Sequence, residues 1–227
     1  MKNVLIFGST GSIGSYIFNQ FKNENYNVFG TTTNINNVND NTLFVTNTIL
    51  DNLKNICNID IIIWAQGYNF NDNIYNFNCE NFYKMIDGNV SFILNTSNYL
   101  LKENKINNDA KIVIISSIWQ DFSRENKLSY SISKAALSGL VKNLSNDLSS
   151  KNILINNVLP GVIDNEMTNK TLNESQLNYI KQYLKFNRLI NLDDIYRTVK
   201  FLVVENTGIT GQSICVDLGF TSIRKYS

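Results

Sequence analysis

The chain has 227 residues, a formal net charge of +1 and 43% hydrophobic residues, figures of an ordinary soluble globular protein, and residues 1–227 are read as a single domain. A balance this close to neutral gives no electrostatic case for nucleic acid or an anionic membrane surface, so a small molecule is the expected partner. There is no histidine, which excludes histidine triads and the usual zinc sites, and no metal is expected.

The apolar run Val4-Leu5-Ile6-Phe7 predicts a first strand so early that no signal peptide is expected, and no run is long enough to span a membrane. Cytoplasm is therefore the expected location. That strand leads into Gly8-Ser9-Thr10-Gly11-Ser12-Ile13-Gly14 and the segment Ser15–Phe21. Strand, glycine turn and helix form the geometry in which backbone N–H groups and a helix N-terminus receive a pyrophosphate. Further strand-length runs follow at Val28–Gly30, Leu43–Val45, Ile59–Trp64, Ile112–Ser116, Ile153–Val158 and Ser213–Val216, separated by helix-length segments. Continuous apolar strands alternating with helices predict an α/β fold: a doubly wound parallel sheet, helices on both faces, and a ligand at the carboxyl ends of the strands.

Between these elements, the asparagine-rich stretches Thr33–Asn41 and Asn69–Asn81 read as surface loops. Cys57, Cys79 and Cys215 have neither paired nor metal-like spacing and read as small buried apolar residues in a reducing compartment. The segment Asp164–Ile190 lies between Pro160-Gly161 and the next helix at Leu192–Val204 and reads as a substrate lid, with Met167, Leu172, Leu177, Tyr179, Ile180, Tyr183 and Phe186 as its apolar side.

The chemistry is carried by Ser117, in Ile-Ile-Ser-Ser, and by Tyr130 and Lys134 on a helix from about Ser129 to Ser149. Positions i and i+4 share a helix face, which sets the ammonium one turn beyond the phenol. A phenol titrates near 10, and bringing it to about 7 takes roughly 4 kcal/mol of differential stabilisation, for which Lys134 is the expected source. Tyr-x-x-x-Lys alone is common on solvated helices. Here it follows a glycine turn in the same chain, and without histidine it is the best acid/base unit available, a proton donor for a carbonyl.

These residues together resemble the short-chain dehydrogenase/reductase family along nearly the whole chain, most strongly bacterial 3-oxoacyl-carrier-protein reductases. Asn89 in Gly88-Asn89-Val90, the Pro160-Gly161 pair, and Ile209-Thr210-Gly211-Gln212 with Val216-Asp217-Leu218-Gly219 extend the match. The resemblance implies a seven-stranded Rossmann sheet and an NAD(P)-dependent oxidoreductase that moves a hydride between nicotinamide and a ketone or secondary alcohol. A 3-oxoacyl thioester leads the substrates it suggests, with a sugar or secondary-metabolite ketone behind. It implies that Tyr130 is the general acid, Ser117 rather than Ser116 holds the carbonyl oxygen, Lys134 tunes the phenol and binds the nicotinamide ribose, and Asn89 supports a proton-relay water. Cofactor contacts would come from Gly8, Ser9, Thr10, Gly11, Ser12, Ile13, Gly14, Thr31, Thr32, Thr33, Ala65, Gln66, Gly67, Tyr130, Lys134, Pro160, Gly161, Ile163 and Asn165. A homotetramer or homodimer would form through the Ser129–Ser149 helix and a neighbour starting near Asn89.

The chain also departs from the pattern. Ser12 replaces the middle glycine of the loop, and the Gly8/Gly11/Gly14 spacing is similar to that of sugar-nucleotide epimerases, so an epimerase or dehydratase stays open, as does a non-catalytic cofactor-binding regulator. Trp64-Ala65-Gln66-Gly67 stands for Asn-Asn-Ala-Gly, and Asn165 for a threonine. Thr32 falls where NAD-specific relatives place an aspartate, and the arginine of NADP-specific relatives is missing as well. The expectation is NADP(H) over NAD(H) by about tenfold, equivalent to about 1.4 kcal/mol.

Overall fold

Seven strands, β1 (Asn3–Phe7), β2 (Asn27–Thr32), β3 (Thr42–Phe44), β4 (Ile59–Trp64), β5 (Ile106–Ile115), β6 (Leu154–Pro160) and β7 (Ser213–Val216), build one sheet in the order β3-β2-β1-β4-β5-β6-β7. Every neighbouring pair is parallel. The computed structural model describes residues 1–164, 186 and 188–223. From β1 the chain steps outward to β2 and β3, then returns to lay β4 on the other side of β1. That reversal leaves a crevice at the carboxyl ends of β1 and β4, where open parallel sheets bind ligands.

The period-2 geometry of β1 divides its side chains between two cores. Leu5 and Phe7 join a cluster with Phe92, Ile93 and Leu100 of α3 (Phe92–Lys102) and Leu137, Leu140 and Val141 of α4 (Leu128–Asp147). Val4 and Ile6 join Ile17 and Phe21 of α1 (Ser12–Asn23) and Ile195, Tyr196 and Val199 of α5 (Leu192–Lys200). Helices therefore cover both faces, as continuous apolar strands require.

Trp64, one of the departures from the family pattern, is absorbed by this core. Its ring stacks on Phe7 with centroids 5.3 Å apart, and its indole N–H donates to Thr96 Oγ1 at 3.0 Å; Phe7 in turn meets Phe92 edge-on at 5.6 Å. A buried tryptophan with its one donor satisfied gives aromatic packing, about 0.5–1.5 kcal/mol per pair beyond area burial.

Four expectations are corrected. Asn89 does not stand near a helix start: α2 (Cys79–Ile86) continues through a π-helical turn at Asp87–Ser91 into α3, and Asn89 lies inside that turn. The stretch Asn69–Asn81 is not surface loop throughout, since Asp72 is buried, accepts from the backbone N–H of Ser129 at 3.0 Å and from its hydroxyl, and ties this segment to α4. Asn78 caps α2 by accepting from Asn81 N at 2.9 Å. The three cysteines are exposed rather than buried. Finally, helix α5 ends at Lys200 and passes into a second π-helical turn, Phe201–Glu205, rather than running on to Val204 as α-helix. Most of the expected lid, residues 165–185 and 187, lies outside the described residues.

Candidate active site

A cleft of about 610 Å³ opens at the carboxyl ends of the strands. One end is built by the glycine loop. Gly8 has φ +74°, and a Cβ there would lie 2.6 Å from the backbone nitrogen of Gln66; a Cβ on Gly14 would lie 2.2 Å from the carbonyl oxygen of Gly8. Only hydrogen fits at both positions, so the loop folds flat against β4 and against its own helix. Gly11 caps α1 without a side-chain hydrogen bond, which leaves the positive end of the helix dipole facing the cleft that Gly8, Thr10, Gly11, Ser12 and Ile13 line.

Thr31, Thr32 and Thr33 follow at the end of β2 and line the same end. Thr32 Oγ1 stands 3.2 Å from Thr10 Oγ1 and accepts from Asn34 N at 3.1 Å. Ser9 turns inward, its N–H and hydroxyl both donating to Thr31 O at 3.0 and 3.2 Å; like Gly14 it shapes the loop without lining the cleft. No charged side chain belongs to this end among the described residues.

Beyond β4, Ala65, Gln66 and Gly67 line the middle. Both Nε2 and Oε1 of Gln66 are buried without a hydrogen-bond partner among the described residues. An unsatisfied buried polar group costs about 1–3 kcal/mol. The flat glycine cradle, the uncapped helix start and this unpaired amide fit a nicotinamide dinucleotide, whose pyrophosphate and polar groups would meet them.

The other end gathers Ser117, Tyr130 and Lys134. Tyr130 and Lys134 lie one turn apart on α4, with the Lys134 Nζ 5.7 Å from the centre of the Tyr130 ring. Lys134 is buried and donates to Ile115 O at 3.1 Å; burial brings its ammonium down to about 8. Burial also raises the Tyr130 phenol above its ordinary value, with a hydrogen bond from Ser117 acting in the lowering direction. The expected depression by Lys134 is therefore corrected: desolvation disfavours the phenolate more than its surroundings favour it.

Ser116 and Ser117 both line this end of the cleft, and of the two it is Ser117 that is hydrogen-bonded to Tyr130. Ser116 donates to Gln120 Oε1 at 2.9 Å in a buried network, whereas Ser117 caps the 3₁₀ turn Ile118–Gln120, its Oγ accepting from Trp119 N at 3.3 Å. Asn89 sits behind the cleft: its Oδ1 accepts from Tyr68 N at 2.7 Å and its Nδ2 donates to Tyr68 O and Ser133 Oγ, both at 2.9 Å. A Cβ added at Gly67 would be 3.5 Å from Asn89 Oδ1 and 3.7 Å from Lys134 Nζ, so both side chains border one small space. π-helical turns of the kind holding Asn89 recur at functional sites.

Pro160, Gly161 and Ile163 close the lower wall. Gly161 donates its N–H to Val216 O at 2.9 Å, and a Cβ there would come within 2.8 Å of Asp217 Cβ, so glycine lets the chain leave β6 tight against β7. Asn165 lies outside the described residues. Sequence reasoning missed Trp119, Arg124 and Lys127, which line the cleft beside Tyr130, and Asn69 and Asn71, whose side-chain carbonyls accept from Lys127 Nζ at 2.7 and 2.6 Å. The available signal was Lys127 three residues before Tyr130, a same-face helical spacing.

Known proteins resemble this chain in sequence and in fold. The family model for enoyl-(acyl carrier protein) reductase matches residues 37–221. The 3-oxoacyl-[acyl-carrier-protein] reductase of Rickettsia felis is 33% identical over 168 residues, 73% of this chain and 68% of that protein. Two solved structures have the same fold at 24% identity: ElxO with NADP bound, with TM-score 0.84 over 98% of this chain and 99% of that one, and 4-hydroxyisoleucine dehydrogenase complexed with NADH, with TM-score 0.87 over 99% and 100%.

Proposed function

Because the chain belongs to the short-chain dehydrogenase/reductase family and is on that ground a nicotinamide-dependent oxidoreductase of ketones and secondary alcohols, we propose that Tyr130 is its proton donor, with Ser117, Lys134 and Asn89 completing the catalytic set. The observation that carries this is the convergence of Ser117, Tyr130 and Lys134 on the cleft whose other end is the glycine cradle. The bound dinucleotide supplies or takes up the hydride at the carbonyl carbon.

The protein's own groups do the rest. Tyr130, its phenol held above the ordinary value by burial, keeps its proton at neutral pH and delivers it to the carbonyl oxygen as negative charge develops there. Ser117 donates to the same oxygen and fixes it beside the phenol. The Lys134 ammonium, with one donor on Ile115 O, keeps two for the cofactor ribose and stabilises the phenolate left after transfer. Asn89, bordering the space beside Lys134, holds a water through which the proton is replaced.

Both nicotinamide dinucleotides are accepted on this reading, with NADP(H) ahead by about tenfold. The threonines at the end of β2 offer hydroxyls to a 2′-phosphate, and no carboxylate among the described residues of that end repels it. Likeness to 3-oxoacyl reductases makes a 3-oxoacyl thioester the first ketone to try, and a sugar or secondary-metabolite ketone the second. The protein acts in the cytoplasm as a homo-oligomer. Exposed Leu94 of α3 and Ile132 of α4 are apolar positions that a second copy would cover. Among the described residues no helix is long and apolar enough to cross a membrane. Oxidation of NADPH followed by absorbance over a panel of ketones, with nucleotide sugars included to detect non-redox turnover, tests the assignment.

A further inference from the structure

Two cations at the substrate end of the cleft have no part in the proton and hydride chemistry. Lys127 is 9% exposed, and its Nζ stands 5.4 Å from the centre of the Tyr130 ring. Its partners, the side-chain carbonyls of Asn69 and Asn71, are neutral, so they fix the ammonium without cancelling its charge and leave one of its three donors unplaced. Arg124 lies 5.4 Å over the ring of Trp119, and among the described residues its guanidinium has neither ion pair nor hydrogen bond.

The neighbouring acids balance them only in part. Asp72, which accepts from the N–H and hydroxyl of Ser129, attracts Lys127 and offsets some of its charge, but no carboxylate among the described residues pairs with Arg124: Asp121 accepts from Gln120 Nε2 at 3.2 Å, and Glu125 is exposed at the rim. The described lining of the whole cleft thus holds Arg124, Lys127 and Lys134 against Glu125 alone. Withdrawing from water a cation that no carboxylate pairs with, as for Arg124, is unfavourable, and a neutral ketone would leave that uncompensated. An anion carried by the substrate would offset it, and the planar fork of Arg124 suits one.

We propose that the substrate is an anionic carbonyl compound or the corresponding alcohol, and that Arg124 and Lys127 are its anion anchor. This rests on the oxidoreductase reading and narrows it: a neutral 3-oxoacyl thioester becomes a poorer substrate than an oxo acid.

The test compares matched pairs: acetoacetate with methyl acetoacetate, levulinate with methyl levulinate, and dihydroxyacetone phosphate with dihydroxyacetone. Binding to the protein is read from tryptophan fluorescence, since Trp119 lies under Arg124, and turnover is read separately from NADPH absorbance. The anion of at least one pair should bind at least about tenfold more tightly than its neutral partner; which pair does so separates carboxylate from phosphate. Arg124→Gln should remove most of that preference by raising KM with little change in kcat, leave the neutral partner unchanged, and be partly rescued by Arg124→Lys. Lys127 also ties Asn69 and Asn71 to α4, so Lys127→Gln is read only alongside a thermal melt, and Arg124→Gln decides. Absence of anion preference in all three pairs, or a preference that survives Arg124→Gln in a folded variant, overturns the anchor. Failure to bind NADPH would instead remove the oxidoreductase reading, while the fluorescence comparison would still decide whether an anion is held.

Discussion

Lys134 holds its ammonium 5.7 Å from the centre of the Tyr130 ring while donating to the backbone of Ile115 at 3.1 Å. Proximity alone does not make the phenol acidic here, because both groups are buried and burial penalises each charged form. The phenol rises and the ammonium falls to about 8. Around neutral pH the pair is therefore protonated phenol beside charged lysine, the state from which a carbonyl is reduced.

That arrangement sets the pH dependence of reduction. Lys134 is charged below about 8 and neutral above it, while Tyr130 keeps its proton throughout this range. Since the positive charge stabilises the phenolate formed on proton transfer, kcat for reduction should be level near pH 6–7 and fall as pH rises through about 8. A pH–rate profile at saturating cofactor checks it; a rate that climbs between pH 8 and 10 would contradict the assignment.

Gly14→Ala should damage the fold as well as the site. The new methyl would sit 2.2 Å from the carbonyl oxygen of Gly8 and 3.2 Å from Ser9 Cα, and backbone atoms cannot move aside cheaply. Overpacking of this kind costs about 1–3 kcal/mol. A urea melt should show that loss together with weakened NADPH binding, whereas Gly139→Ala, whose Cβ meets nothing within 4 Å, should leave both near wild type.

Gln66 separates stability from binding. Gln66→Met keeps the volume and removes the two unpaired polar atoms, so the protein alone should melt at the same or a higher temperature. Its dissociation constant for NADPH should nevertheless rise about five- to tenfold, the value of a lost neutral hydrogen bond. Unchanged affinity in calorimetry would show that the amide does not serve the cofactor.

Cofactor choice is tested by titrating NADPH and NADH in one buffer. Hydroxyls without an arginine at the end of β2 predict about a tenfold preference for NADPH. A preference for NADH of more than about tenfold would refute the reading of Thr31, Thr32 and Thr33.

Much of this was legible because short-range geometry dictates it. The strand–glycine–helix start, Tyr130 and Lys134 one turn apart, and the apolar strands all follow from local spacing, and the seven predicted strands correspond to β1–β7, with β4 and β7 at the predicted ends and the other five shifted. Ends moved because pairing, rather than local propensity, sets where a strand stops: β5 begins at Ile106 since Ile59 of β4 pairs with it there. What depended on distant contacts was not legible. Nothing near Asn69 and Asn71 says that they receive Lys127 from 58 and 56 residues away. The direction of the Tyr130 shift needed its burial, and the placement of Asn89 needed the π-helical turn, which local residue spacing does not announce.

The most direct measurement is the reduction rate of Tyr130→Phe beside its affinity for NADPH. The substitution removes one hydroxyl and little packing, so NADPH should bind within about twofold of wild type while kcat falls by at least about 10²-fold, as for loss of an acid/base group. A variant that binds NADPH and keeps more than about a tenth of wild-type kcat would contradict Tyr130 as the proton donor.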